Sequence, residues 1–239
     1  MNKTNMLGIA ALLLLPVAGA VGQVHESALS TALKSSYEAE AQQDYKASIK
    51  ALVVHEAAGS YIAQLRLGWL GYCSGDWSES ISHYKQAVQL APFAVEPLLG
   101  QMISQQAAGS NDDAIRTAQA VLRLDPANYT AISRTAWMLY LKRDFKQAAS
   151  AYRKLVSLYP TDTEMLLGLG FSLKSAGEKN ASVPYFRTVL LLSPNNARAL
   201  AGLDLEADID EVRKTGTDNL GVDRGSRPGL RRNPTSDDK

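Results

Sequence analysis

Four prolines set the problem for this chain. Pro92, Pro126, Pro160 and Pro194 each follow the last by 34 residues, and a leucine stands two places before each one: Leu90, Leu124, Leu158 and Leu192. A fixed period of this length is the mark of a chain that stacks one supersecondary unit upon the next, since no single unit can bury its own apolar face. Taking Tyr61, Val95, Tyr129 and Thr163 as first residues brings the other positions into register. The seventh and eighth residues are Leu67-Gly68, Gln101-Met102, Thr135-Ala136 and Leu169-Gly170. The twentieth is always small (Ser80, Ala114, Ala148, Ser182), the twenty-fourth is Tyr84, Ala118, Tyr152 or Phe186, and the twenty-seventh is Ala87, Val121, Leu155 or Val189. Turn signals divide each unit in two, at Gly75-Asp76, Gly109-Ser110, Arg143-Asp144 and Gly177-Glu178.

This spacing resembles the tetratricopeptide repeat (TPR) family, whose signature reads W-x2-L-G-x2-Y, then A-x3-F, then P. Small residues at the eighth and twentieth positions let two antiparallel helices approach closely. The aromatic at the twenty-fourth fills the space beside them, and the proline stops the second helix without forfeiting a needed hydrogen bond. The resemblance implies an all-α fold, a right-handed α-α superhelix of about five helix pairs plus a C-terminal capping helix. Units fall near 29–60, 61–94, 95–128, 129–162 and 163–196, with a cap at 197–212, so that the repeat domain spans 29–212. The first unit aligns through Gln43-Asp44-Tyr45 with Gly75-Asp76-Trp77 at a spacing of 32, and it lacks the closing proline. Two departures stand out: no unit carries the signature Trp at its fourth position, and Pro184 falls inside the second helix of the fifth unit, which must therefore start late or kink.

Both ends differ from the repeats. Residues 1–6 carry Lys3 and no acid, an apolar run follows over 7–17, Pro16 and Gly19 interrupt it, and Ala18-Gly19-Ala20 offers small residues for cleavage. That order matches a secretory signal over 1–20, too short for a transmembrane span, with an uncleaved anchor as the alternative. The expectation is an exported protein, periplasmic or secreted, with no transmembrane anchor in its mature form. Over 213–239 the composition turns to Gly, Pro, Arg, Asn and Asp, with seven basic and four acidic residues, as expected of a disordered basic tail. Residues 21–212 carry 17 basic and 20 acidic residues. The whole chain, at +1, has no global attraction for nucleic acid, and nothing aromatic interleaves Arg224, Arg227, Arg231 and Arg232.

For function, the TPR resemblance points to the inner face of the superhelix, built mainly from the second, fifth, ninth, twelfth and thirteenth residues of each first helix. It implies a partner-binding groove of Tyr37, Leu65, Trp69, Tyr72, Leu99, Ile103, Trp137, Tyr140, Leu167 and Phe171, with Leu205 continuing the ninth-position series. An apolar-aromatic stripe of that kind suits an extended or helical protein or peptide segment; the alternative is that the rings pack against neighbouring helices. Glu40, Glu96, Glu164 and Lys174 supply a sparse polar rim. Members of the family that hold a partner's terminal carboxylate use Lys, Asn and Arg at the fifth and ninth positions, and none of these stands there in this chain. A structural module that self-assembles into homo-oligomers is the rival reading.

Chemistry finds little material. One cysteine excludes an internal disulfide, and three histidines give no zinc-ligand spacing. Cys73 reads as a small buried hydrophobe rather than a reactive thiol, and His55 and His83 as ordinary helix residues. No catalytic, cofactor-binding or metal-binding residue is expected, and the chain is read as a non-enzymatic scaffold. Asn128-Tyr-Thr and Asn180-Ala-Ser match a glycosylation acceptor pattern that matters only in a eukaryotic secretory pathway.

Overall fold

Helix pairs follow one another from end to end of the computed structural model, which describes residues 17–204, with side chains from 28 onward. In chain order the helices are α1 (Val17–Ala41), α2 (Tyr45–Lys50), α3 (Val53–Ala57), α4 (Tyr61–Ser74), α5 (Trp77–Leu90), α6 (Val95–Ala107), α7 (Asn111–Leu124), α8 (Tyr129–Leu141), α9 (Phe145–Leu158), α10 (Thr163–Ser175), α11 (Lys179–Leu192) and α12 (Ala197–Gly202). Each packs on its neighbours in sequence, and successive first helices also touch, α4 on α6 and α8 on α10. This is the expected α-solenoid of five helix pairs and a capping helix.

The boundaries repeat because their chemistry repeats. Asp44, Ser60, Asp76, Asn128, Asp144, Asp162 and Asn196 each cap a helix by accepting a backbone N–H from its first turn. Between the two helices of a pair the chain turns through a left-handed residue at 34-residue intervals: Gly75 (φ 81°), Gly109 (77°), Arg143 (62°) and Gly177 (88°). Three are glycine, for which this region carries no Cβ penalty; Arg143 bears that penalty. Before each of the four prolines the backbone leaves the α region, which the proline ring disfavours, with φ between −132° and −145° and ψ between 72° and 88° at Ala91, Asp125, Tyr159 and Ser193.

The core is a chain of small clusters rather than one nucleus. It runs from Leu52, Leu67 and Leu70, through Leu98, Met102, Ala118 and Val121, to Ala136, Tyr152 and Leu169, and ends on Leu166, Phe186, Val189 and Ala199. Its repeating part is an interlock at the twenty-fourth position. The Tyr84 ring lies against Gly68 of its own first helix and Gly100 of the next, where a Cβ at Gly100 would stand 2.3 Å from it. Tyr152 meets Gly168 and Phe186 meets Gly202 in the same way, at 2.4 Å each. The glycine at the sixth position of each following unit is thus the space into which the ring fits. Where the twenty-fourth residue is not a ring, the next sixth residue is arginine: Leu52 precedes Arg66, and Ala118 precedes Arg134.

The structure corrects or refines the sequence expectations at four places. Helix α1 starts at Val17 and runs through Gly19, because a glycine costs a helix only about 1 kcal/mol and good helix formers follow. The part of the expected signal at 1–16 lies outside the described residues. Helix α11 starts at Lys179, so the late start is not used, and Pro184 lies within it; Thr188 Oγ1 donates to the Pro184 carbonyl at 2.9 Å. The capping helix is six residues long, closed by Asp204 at φ 60°, while 205–212 and the basic tail lie outside the described residues. Finally, the slot that holds Trp in the family signature is Gln64, Leu98, Ile132 and Leu166, all buried.

Gln64 turns His83 into a junction residue rather than an ordinary helix position. His83 Nδ1 lies 2.8 Å from Gln64 Oε1, and Gln64 Nε2 donates to Gln86 at 2.8 Å. Glu56, reaching from α3, is 3.6 Å from the same imidazole nitrogen, so polar contacts tie the broken second helix of the first unit to the second unit.

Candidate functional site

The first helices of the units place their ninth residues on a common face, and there the structure separates them into two kinds. Tyr37, Trp69 and Trp137 stand roughly half-exposed, at 57%, 45% and 47%. Ile103 and Phe171 pack inward instead. Ile103 lies against the Leu98–Met102 cluster, and Phe171 meets Phe186 edge-on with ring centres 4.9 Å apart. Leu65, Tyr72, Leu99 and Tyr140 are half-buried, and Leu167 is buried at 1%, in the floor rather than on the surface. The stripe along the groove is therefore not continuous: exposed ninth-position rings stand in the first, second and fourth units, with Ile103 and Phe171 packed inward in the third and fifth.

The second and fourth units share a pattern spaced by 68 residues, two repeats. Arg66-x2-Trp69-x2-Tyr72 recurs as Arg134-x2-Trp137-x2-Tyr140. One residue per turn of helix puts the three side chains on one face. The tryptophan and tyrosine rings lie 5.9 Å apart in both, tilted at 31° in the first and stacked at 10° in the second. Neither arginine belongs to the groove set expected from the family's usual positions. The signal that marks them is this double-length repeat, which a search at 34 residues averages away.

Each triad borders a concavity. A cavity of about 330 Å³ lies beside Trp137 and Tyr140, closed by Tyr152, Leu167, Gly168 and Phe171, with Glu164 and Arg198 at its edge. The other, about 390 Å³, lies between α1 and α4, lined by Leu33, Tyr37, Ile62, Leu65, Arg66 and Trp69. Volumes of this size hold an amino-acid side chain or a short piece of backbone, with rings to pack against and few polar groups to satisfy.

The polar surroundings differ sharply between the two. Arg66 is 6% exposed and fully engaged. It lies 3.9 Å over the Tyr37 ring, pairs with Glu40 at 2.6 Å, and donates to the Ser36 hydroxyl and carbonyl at 3.1 and 3.3 Å. The Trp69 indole donates to the same Glu40 at 2.6 Å. Burial pushes the Glu40 carboxyl up, but the hydrogen bonds from Trp69 and Arg66 and the arginine charge outweigh it, leaving the group below the ordinary carboxylate value. Arg134, by contrast, donates only to the neutral Gln106, at 2.7 Å, and no described residue accepts from the Trp137 indole.

Of the expected polar rim, most is committed to the fold. Glu40 belongs to the Arg66 cluster, and Glu164 is paired with Arg198. Lys174 donates to the α12 carbonyls of Ala201 and Gly202 at 3.3 and 2.9 Å and to Asp204 at 2.7 Å, satisfying the end of the capping helix. Glu96, on the exposed side of α6, is the rim acid with no ion-pair partner among the described residues. Cys73 is partly buried; burial first, then the nearby Glu40 charge, hold its thiol above the ordinary value, the opposite of an activated thiolate. Among the described residues no three His, Cys, Asp or Glu side chains gather as metal ligands would, and no helix is long and apolar enough to cross a membrane.

A solenoid of stacked helix pairs, with interlocking rings inside and half-exposed indoles along one face, defines the class: a helical repeat scaffold. Its repeats resemble tetratricopeptide repeats. Residues 99–163 match the tetratricopeptide repeat family model, and the flanking units share the 34-residue period and the order of helix pairs. A protein of Mycosarcoma maydis, small glutamine-rich tetratricopeptide repeat-containing protein 2, is 27% identical over 110 residues, 45% of this chain and 31% of that protein. The match thus spans about a third of that relative's length. Among solved structures, the MamA protein superposes with a TM-score of 0.63 over 82% of this chain and 98% of its own, at 16% identity. A tetratricopeptide repeat protein from Parabacteroides merdae ATCC 43184 gives 0.66 over 80% and 77%, also at 16% identity. At such identities the likeness is one of fold.

Proposed function

We propose that this chain is an exported, non-enzymatic scaffold that binds a protein or peptide segment along the face of its first helices, using Trp69 and Trp137 as anchors. One observation carries the reading: two indoles, each beside a cavity, stand half-exposed on the same face at a two-repeat spacing while the residues between them pack inward. Large rings left in water on a repeat scaffold are poor for stability and good for association, because they bury much area for little lost side-chain freedom. The charged start, short apolar run and small residues of 1–20 support export. A place in assembling a cell-envelope complex rests on likeness to exported members of the repeat family alone.

The test is a crosslinked pull-down from the native host, comparing the wild type with a folded Trp69→Ala, Trp137→Ala double variant. A partner captured by the first and lost by the second is the expected result. Equal capture moves recognition to another face and overturns the reading. Self-crosslinks alone replace it with the self-assembling module. Export is tested separately, by the N-terminal residue and compartment of the native protein; an intact 1–20 in the cytoplasm removes that part.

A further inference from the structure

The basic segment that follows the cap has the length, charge and spacing to occupy this same face. At Asp204 the described chain stands against Lys174, the twelfth residue of α10, so it leaves at the edge of the groove rather than from the opposite side. Residues 205–239 follow, a length that reaches more than about 100 Å when extended, whereas Trp69 and Trp137 are separated by two steps between adjacent first helices, roughly 16–20 Å. Within 224–234 there are four arginines (Arg224, Arg227, Arg231, Arg232) and no acid, against the excess of acids in the repeats and the unpaired Glu96 on α6. The molecule already shows how such a group is received: the Arg66 guanidinium carbon lies 3.9 Å over the Tyr37 ring centre. Pro228 and Pro234 are six residues apart, two turns of a polyproline helix or about 19 Å, the same step as the two tryptophans. Proline on an indole face is a common mode of recognition, since both surfaces are rigid before they meet.

We propose that 224–234 docks in the groove of its own chain, Pro228 on the Trp137 triad and Pro234 on the Trp69 triad, with the intervening arginines over the α6 face at Glu96. The inference rests on the reading of this face as a binding surface and adds an occupant that any partner must displace. Tethering makes the docking intramolecular, so weak contacts suffice: a tether of this length holds the segment at roughly millimolar local concentration.

Photocrosslinking of the full chain decides it. With p-benzoylphenylalanine carried at Gly229, adducts within a monomer are expected on α8; carried at Thr235, they are expected on α4. Charge reversal in an Arg227→Glu, Arg231→Glu, Arg232→Glu variant, with helical circular dichroism unchanged, is expected to lower both yields about tenfold. Adducts spread evenly over the surface, or confined to the second helices, overturn the proposal. So do adducts that join two chains, which would give the segment to a second copy. If the crosslinks fail while partner capture still depends on Trp69 and Trp137, the tail assignment is lost and the groove reading stands.

Discussion

Trp69 and Trp137 occupy the same position of the repeat, carry the same neighbours three residues to either side, and are equally exposed, yet they are held in different ways. Trp69 is bound into the junction with the first unit: its indole and Arg66 share Glu40, and Arg66 covers Tyr37. Trp137 is stacked on Tyr140, and its nitrogen donates to no described residue; Arg134 beside it has only an amide for a partner. The local sequence places an indole, but its polar capacity is settled by what the preceding unit offers. Where Glu40 stands, the ring also serves the fold, and where no acid stands its donor has no acceptor among the described residues.

The sharpest way to break this comparison is to change the packing rule beneath it. Ala118→Tyr should introduce a ring into the space taken by Arg134 and cost about 2 kcal/mol in urea unfolding. Adding Arg134→Gly should restore the ring-and-glycine interlock seen at Tyr84 with Gly100. The double variant is expected to be more stable than the sum of its parts by at least about 1 kcal/mol. Additive losses would mean that the arginines do not stand in for missing rings.

Truncating the two tryptophans compares their anchoring directly. Trp69→Ala should destabilise the fold by about 1–2 kcal/mol more than Trp137→Ala, since it leaves the Glu40 carboxylate short of a donor. Equal urea midpoints would remove the distinction between them. The same contact gives a pH dependence. Glu40 lies below its ordinary value of 4.5 in the fold, so its contribution is present above that pH and lost as pH falls through the lower, folded value. Acidification below 4.5 should loosen α1 from α4, read as faster hydrogen exchange in α1 and a change in Trp69 fluorescence, both abolished by Glu40→Gln. The smallest effect is expected at the turns. Arg143 is exposed and left-handed where its three counterparts are glycine, so Arg143→Gly should raise stability by a few tenths of a kcal/mol, and Gly109→Ala should lower it by about 1. Differential scanning calorimetry resolves the second, and a loss for Arg143→Gly or a gain for Gly109→Ala would show that these turns are not equivalent.

Much of this was written in the sequence in plain form. A 34-residue period of proline, leucine and small residues fixed the helix pairs, their turns and their order, because every unit solves the same local problem with the same caps and breakers. The ten groove residues were reached through the repeat register, and the structure then divided them. Leu167 went to the core and Phe171 against Phe186 because those units face neighbours that need apolar filling. Pro184 did not delay the start of α11, because a proline in the early turns of a helix forfeits one backbone bond without stopping it when the flanking packing holds. Gln64 in the tryptophan slot gave no hint of His83, its partner 19 residues away.

What the sequence determined by itself is periodic: which residues start and end helices, which are small, and which share a face. Such properties depend on spacing along one helix, and spacing is legible in a string. What the tertiary structure decided is which rings are free. That depends on whether Glu40, Gln106 or Phe186 lies across the junction, and the approach of a neighbouring helix is set by the volumes of both surfaces together, not by either one read alone.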